Sequence, residues 1–98
     1  SKKYLLLGDM LELGKHSKKL HQSIAPIINK TKIDKVFIKG NKAFFTYEKL
    51  LKSKKGRILY NKPQIIDLIK KDLKNNDYLM IKASNATGFN KIVNNLKG

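Results

Sequence analysis

One pattern constrains the fold of this chain more than any other: a short apolar run followed by an amphipathic stretch occurs four times in succession. Runs of this length favour strands, whereas the stretches after them place apolar residues at the spacing of one helical face. No hairpin signal joins neighbouring runs, so successive strands require crossover connections and are expected to lie parallel. The sequence therefore predicts an α/β fold with a mainly parallel sheet of about four strands, right-handed crossovers and helices on the sheet faces. The predicted strands are Tyr4–Leu7, Lys35–Gly40, Arg57–Tyr60 and Tyr78–Ile81.

The helices between these strands carry start and stop signals. Ser17 is placed to cap the first helix, and Pro26 within that helix predicts a kink or a break into two short helices. Gly56 is expected to end the second helix, while Pro63 suits the first turn of the third. Apolar residues at i, i+3, i+4 and i+7 predict a last helix over Phe89–Leu96.

Length and composition limit the class of protein. Ninety-eight residues with 41% hydrophobic content predict one folded domain. No apolar run approaches the ~20 residues of a membrane-spanning helix, and the absence of cysteine excludes disulfides and thiolate metal sites. His16 and His21 have no third histidine to complete a metal site, so we interpret both as structural and expect no metal ligands.

The net charge of +15 makes nucleic acid one candidate partner, because lysines release counterions when they neutralise phosphates. All but one of the 22 basic residues are lysines, and they occur in every segment. Only Arg57 could make a bidentate guanidinium contact. This dispersion favours a solvated surface. The alternative to a solvated surface is RNA binding. The chain would then be a small basic α/β domain of the ribosomal type that binds RNA through dispersed lysines and the Gly40–Asn41 loop.

Polar residues follow the predicted strands at the edge where open parallel sheets bind ligands. The first strand runs directly into Gly8 and Asp9, and Glu12 follows a few residues later. The pair Gly40–Asn41 comes after the second strand, and the loop Lys82–Gly88, which includes Ser84, Asn85 and Thr87, comes after the fourth. Carboxylates on one loop, with a lysine, a hydroxyl and an amide on another, suit a zwitterion or a phosphate ester.

Each of these residues also has a purely structural interpretation. Asp9 and Glu12 could lie at the front of the first helix, where carboxylates interact favourably with the helix dipole. Lys82 could be solvated, the Ser84–Asn85 pair could cap a turn, and Met10 could be a packing residue. The residues alone leave these alternatives open. The chain has no P-loop and no nucleophile motif, so by itself it lacks the parts of an enzyme.

Several of these motifs resemble the C-terminal domain of the Mur ligases of peptidoglycan synthesis. The strongest is Leu7–Gly14, in which Asp-Met-x-Glu-Leu-Gly follows a buried strand; Leu20–His21 and the closing pattern Asp77–Ser84 support it. Within the family, the motifs are most similar to the branch that adds D-alanyl-D-alanine to UDP-N-acetylmuramoyl-tripeptide. The sequence departs from the family pattern at Ala83, where glycine is usual, and at Asn85, where arginine is usual.

The resemblance implies a Rossmann-like three-layer sandwich with helices on both faces. It also implies that residues 1–98 are the last domain of a longer, cytoplasmic, three-domain enzyme. In such ligases the first domain holds the UDP-sugar, and the central domain binds ATP and Mg²⁺. The last domain closes over the site, where an amine attacks an acyl phosphate. The chain alone is then expected to be inactive.

The resemblance further implies the partners and the residues that face them. The partners are D-alanyl-D-alanine, UDP-N-acetylmuramoyl-tripeptide, ATP and the central ATPase domain, with neither membrane nor nucleic acid involved. Asp9 is expected to orient an ammonium or a water, and Lys82 with Ser84 to hold the dipeptide carboxylate. No residue of the chain is assigned as catalytic. The residues expected to face substrate or ATP are Gly8, Asp9, Met10, Glu12, Gly40, Asn41, Lys82, Ser84 and Asn85.

Overall fold

The strands of the chain form a single parallel sheet. The structure, a computed structural model, describes residues 1–83 except for the side chains of residues 12 and 13. Within this range every neighbouring strand pair is parallel, as predicted, and the order across the sheet is β3-β2-β1-β4. The chain therefore reverses its direction across the sheet after β3, which leaves a topological switch point between β1 and β4. The strands are β1 (Lys3–Gly8), β2 (Lys35–Lys39), β3 (Lys55–Ile58) and β4 (Tyr78–Lys82).

Three helices connect these strands: α1 (Ser17–Asn29), α2 (Ala43–Glu48) and α3 (Lys62–Asp67), the last continued by a π-helical turn over Leu68–Asp72. Short 3₁₀ segments precede α1 at Leu11–His16 and β3 at Lys52–Lys54. Among the described residues, no helix combines the length and the apolar content that a bilayer crossing needs. The predicted helix over Phe89–Leu96 lies outside the described residues.

Side-chain alternation along β1 divides the core between the two faces of the sheet. Leu5 and Leu7 face α1 and α2, where they pack in one cluster with residues such as Ile28. Tyr4 and Leu6 face the opposite side and belong to the cluster of α3. An apolar run buried on both faces, with helices over each, is the α/β three-layer arrangement that the sequence predicted.

The first helix corrects the predicted cap at Ser17 and the predicted break at Pro26, whereas the kink stays a prediction. Ser17 is the first residue of α1 and not its cap, and its buried hydroxyl lies 3.2 Å from His21 Nδ1. The helix also continues past Pro26 to Asn29, so it is not broken in two. Pro26 is exposed.

Gly56 corrects a third prediction, since it lies within β3 and does not end α2. A Cβ at this position would stand 2.8 Å from the Val36 carbonyl oxygen and 2.9 Å from the Phe37 ring, so close approach between β3 and β2 explains the glycine. The predicted start of α3 is confirmed, because Asn61 Oδ1 accepts a hydrogen bond from the Gln64 N–H at 3.0 Å and proline stands in the first turn.

Candidate functional site

The carboxyl ends of the central strands meet at one edge of the sheet. Leu7 of β1 pairs with Lys82 of β4, and on its other side β1 ends with Gly8 opposite Lys39 of β2. The loops after these strands therefore start side by side, next to the switch point where open α/β sheets usually bind ligands. We call this region the ligand edge and define it as the β1 loop (Gly8–Met10), the β2 loop (Gly40–Lys42) and Lys82.

The Asp9 carboxylate joins the β1 loop to the β2 loop. Its Oδ1 accepts hydrogen bonds from the N–H groups of Lys42 at 3.0 Å and Ala43 at 2.7 Å. These groups stand at the start of α2, where backbone N–H groups have no partner within the helix. Asp9 therefore caps α2 from a loop distant in sequence. The structural interpretation placed Asp9 at the front of the first helix. Its carboxylate instead lies at the start of the second helix, α2.

Gly40 is required by the position of this carboxylate. Its φ of 125° is a conformation that residues with a side chain rarely adopt, and an added Cβ would lie 2.5 Å from Asp9 Cγ and 2.7 Å from Oδ2. The glycine that ends the second predicted strand and the aspartate that follows the first are thus parts of one contact. Asn41 beside them is exposed.

The β1 loop has a second anchor in His21, which is fully buried in α1. The Met10 N–H donates to His21 Nε2 at 3.1 Å. Because a backbone N–H can only donate, Nε2 is an acceptor, and the proton of the neutral ring resides on Nδ1. Nδ1 lies 2.7 Å from the Ser17 carbonyl oxygen, to which it donates. His21 is therefore structural, as predicted, and it also ties the main chain of the loop to α1.

A third polar link connects the two helices that hold the loop. The Thr46 hydroxyl of α2 donates to the His21 carbonyl oxygen at 2.5 Å, and Thr46 is fully buried. The links from Asp9 to α2, from Met10 to His21 and from Thr46 to α1 form a closed circuit, which we call the loop brace. Sequence reasoning missed Thr46. The available signal was a hydroxyl between Ala43 and Leu50 at helical spacing, on the buried face.

The other predicted site residues are Glu12, Lys82, Ser84 and Asn85. Glu12 lies in the 3₁₀ segment after the β1 loop. Lys82 is exposed at the end of β4 and, with Met10, lines an apolar groove of about 520 Å³. Ser84 and Asn85 lie outside the described residues. Across the described part of the chain, no group of three or more His, Asp and Glu side chains could hold a metal ion.

A second concavity is lined in part by the β2 loop. It is a cleft of about 190 Å³ at the carboxyl ends of β2 and β3, and Gly40, Asn41, Phe44 and Tyr60 contribute to its lining. Tyr60 is 72% exposed, so its ring is available at the surface. Residues of the ligand edge therefore line two concavities, Met10 and Lys82 the apolar groove and Gly40 and Asn41 the cleft.

Sequence comparison finds relatives over the whole chain. It is 35% identical to the UDP-N-acetylmuramoyl-tripeptide–D-alanyl-D-alanine ligase of Bacillus subtilis (strain 168), over 97% of the chain and 21% of the relative. It is 33% identical to the ligase of the same name in Buchnera aphidicola subsp. Baizongia pistaciae, over 96% of the chain and 20% of that relative. The chain thus spans about a fifth of the length of the curated relatives it matches. No protein-family model matches the sequence.

Comparison of folds leads to the same group. The MurF ligase of Thermotoga maritima, solved in complex with ADP, superimposes with a TM-score of 0.75 at 23% identity, over 96% of this chain and 21% of that one. MurF of Acinetobacter baumannii matches with a TM-score of 0.75 at 22% identity, over 97% of this chain and 22% of that one. The fold and the ligand edge define an all-parallel α/β domain of the Rossmann-like class. Within that class, the likenesses in sequence and in fold support a MurF C-terminal domain.

Proposed function

We propose that the chain is the C-terminal domain of a three-domain ligase that joins D-alanyl-D-alanine to UDP-N-acetylmuramoyl-tripeptide. ATP phosphorylates the tripeptide carboxylate, the dipeptide amine attacks the acyl phosphate, and inorganic phosphate leaves. The observation that carries this proposal is the 35% identity to the Bacillus subtilis ligase over 97% of the chain. The ligand edge supports it, since the motif Leu7–Gly14 begins at the topological switch point.

In this proposal the chain supplies closure and positioning. Closing a domain over an acyl phosphate excludes the water that would hydrolyse it and aligns the attacking amine. Asp9 Oδ1 accepts from two backbone N–H groups, so this carboxylate shapes the β2 loop. That Asp9 also orients an ammonium or a water stays a prediction. Lys82, an exposed cation beside the switch point, is proposed to bind the carboxylate of D-alanyl-D-alanine together with Ser84.

ATP and Mg²⁺ are proposed for the whole enzyme and assigned to its central domain. The similar fold in the Thermotoga maritima MurF solved with ADP supports the nucleotide. The residues described in this chain do not form an acidic cluster that fits a metal ion, so no step is assigned to them through Mg²⁺. A central ATPase domain of the same chain is the proposed partner, and the cytoplasm is the proposed location.

The gene that encodes this chain provides the test. An upstream reading frame that contains a nucleotide-binding P-loop, with a full-length product that consumes ATP only when UDP-N-acetylmuramoyl-tripeptide and D-alanyl-D-alanine are both present, would support the proposal. A start codon directly before Ser1 would refute it. A pure full-length product that binds both substrates and forms no amide bond would do the same.

The affinity of the same protein for RNA tests the RNA-binding alternative. It requires RNA affinity in the micromolar range or tighter, with a steep dependence on salt concentration. The ligase proposal expects RNA binding that disappears at physiological salt.

A further inference from the structure

We propose that His21 is a positioning residue for the ligand edge: its Nε2 atom holds the Met10 amide and thereby sets the conformation of the β1 loop. Neither the resemblance nor the relatives' names assign this part to the residue. The effect on turnover rests on the proposed ligase function, whereas the effect on the loop does not.

The buried imidazole is bonded at both of its nitrogen atoms. His21 is 0% exposed, and its ring contacts one backbone acceptor and one backbone donor: the Ser17 carbonyl oxygen at 2.7 Å and the Met10 N–H at 3.1 Å. The Ser17 hydroxyl also lies 3.2 Å from Nδ1, so Nε2 is the ring atom that bonds the loop alone. A neutral ring with the proton on Nδ1 matches both partners. Burying a polar ring is unfavourable unless its hydrogen bonds are made, so an apolar side chain would suit a position that served packing alone. The hydrogen bond from the Met10 N–H to Nε2 therefore explains why a polar ring is buried at this position.

The consequence for the ligand edge follows from chain connectivity. The Met10 N–H belongs to the peptide group that links Asp9 to Met10, so whatever holds this peptide also holds the Asp9 backbone. The Asp9 carboxylate in turn accepts from the N–H groups of Lys42 and Ala43. Loss of the Nε2 acceptor leaves the half-buried Met10 amide without this partner and frees the loop to move, and the cap on α2 moves with it.

Two conservative substitutions separate the two nitrogen atoms of the ring. In His21→Asn the side-chain amide nitrogen lies close to the place of Nδ1, so donation to the Ser17 carbonyl persists while nothing reaches Met10. In His21→Gln the longer side chain brings its amide oxygen towards the place of Nε2, where it can accept from Met10. The proposal predicts that glutamine preserves the loop and that asparagine does not.

The first measurement is nuclear magnetic resonance on full-length enzyme in which the region of residues 1–98 carries ¹⁵N. The His21 ring should show an unprotonated Nε2 and a protonated Nδ1. Hydrogen exchange at the Met10 amide should be about tenfold faster in His21→Asn than in wild type, the equivalent of one typical buried hydrogen bond. The matched control is Tyr47→Phe, which removes a part-buried hydrogen bond to the Gly56 carbonyl oxygen outside the loop brace and should leave exchange at Met10 unchanged.

The second measurement is turnover of D-alanyl-D-alanine by the same enzymes. We expect kcat to fall about tenfold in His21→Asn and to stay within about twofold of wild type in His21→Gln. The control Tyr47→Phe should keep wild-type kcat, and its melting temperature shows how much a lost hydrogen bond outside the brace changes stability. A protonated Nε2, or equal Met10 exchange in wild type and His21→Asn, overturns the proposal whatever the turnover. An inactive wild-type enzyme refutes the ligase function and leaves the exchange result to decide on His21. Should His21→Asn not fold, wild-type exchange in His21→Gln supports the proposal and accelerated exchange overturns it.

Discussion

Replacing Gly40 by alanine is expected to break the contact between the β1 loop and α2. The φ of 125° alone would cost about 1–3 kcal/mol for a residue with a side chain. The new methyl group would also occupy space within 2.7 Å of Asp9 Oδ2, so the carboxylate has to leave its position. Losing the two hydrogen bonds that this carboxylate accepts adds about 1–3 kcal/mol. Together the free energy of unfolding should fall by about 2–6 kcal/mol.

Gly14→Ala is the matched control for the strain. Gly14 also has a positive φ, 62°, but among the described residues no atom lies within 4 Å of an added Cβ. This variant should therefore lose only the strain of about 1–3 kcal/mol. Urea unfolding gives the free energy of unfolding of both variants. The extra loss in Gly40→Ala over Gly14→Ala measures the cost of displacing the Asp9 carboxylate.

A double-mutant cycle with Asp9→Ala tests the cause directly. Once the carboxylate is gone, the methyl group at Gly40 no longer displaces it, so the double variant should be more stable than the sum of the single effects predicts. If the two effects add within about 0.5 kcal/mol, the overlap is not the cause and the reasoning is refuted.

Two further predictions concern other parts of the chain. Hydrogen bonds from the N–H of Lys2 and then of Lys74 hold the pKa of Asp77 below its ordinary value of 3.8. The resulting stabilisation is complete above that ordinary value and is lost as the pH falls through the lower folded-state pKa. The free energy of unfolding should therefore fall with acidification more steeply in wild type than in Asp77→Asn. An equal dependence of this free energy on pH in the two proteins would contradict the prediction. In the full-length enzyme, Lys82→Ala should raise the KM for D-alanyl-D-alanine about tenfold, as expected for a lost ion pair with the substrate carboxylate. Lys70→Ala, at another exposed lysine, serves as control. An unchanged KM for Lys82→Ala would mean that Lys82 is a solvated side chain that does not bind the substrate.

Local pattern was sufficient for the sheet and for most of its helices. The apolar run of β1 lies buried on both faces, and the absence of hairpin signals predicted the parallel pairing that the structure has. The pattern failed where a distant neighbour overrides local preference. Gly56 looked like a helix end, and the reason for the glycine is the Phe37 ring on the adjacent strand. Ser17 looked like a cap, and its hydroxyl instead turns inward to His21.

The ligand edge divides in the same way. Gly8, Asp9 and Gly40 could be selected from the sequence because glycine marks the turn after a strand, and the carboxyl ends of parallel strands are where open α/β sheets bind ligands. The sequence did not reveal that Asp9 and Gly40 touch, or that Thr46 belongs with them. The signal for a buried hydroxyl on a helix face is weak unless its acceptor is known.

Taken by itself, the sequence determined the type of each main element up to β4, the parallel sheet and the edge at which the loops collect, because periodicity and glycine positions report on the backbone nearby. Only the tertiary structure decided what the polar residues of that edge do. The Asp9 carboxylate meets the Ala43 N–H across 34 residues of sequence, and Met10 meets His21 between a loop and a helix face. Such partners come together only when the chain has closed into its layers, so no local pattern encodes them.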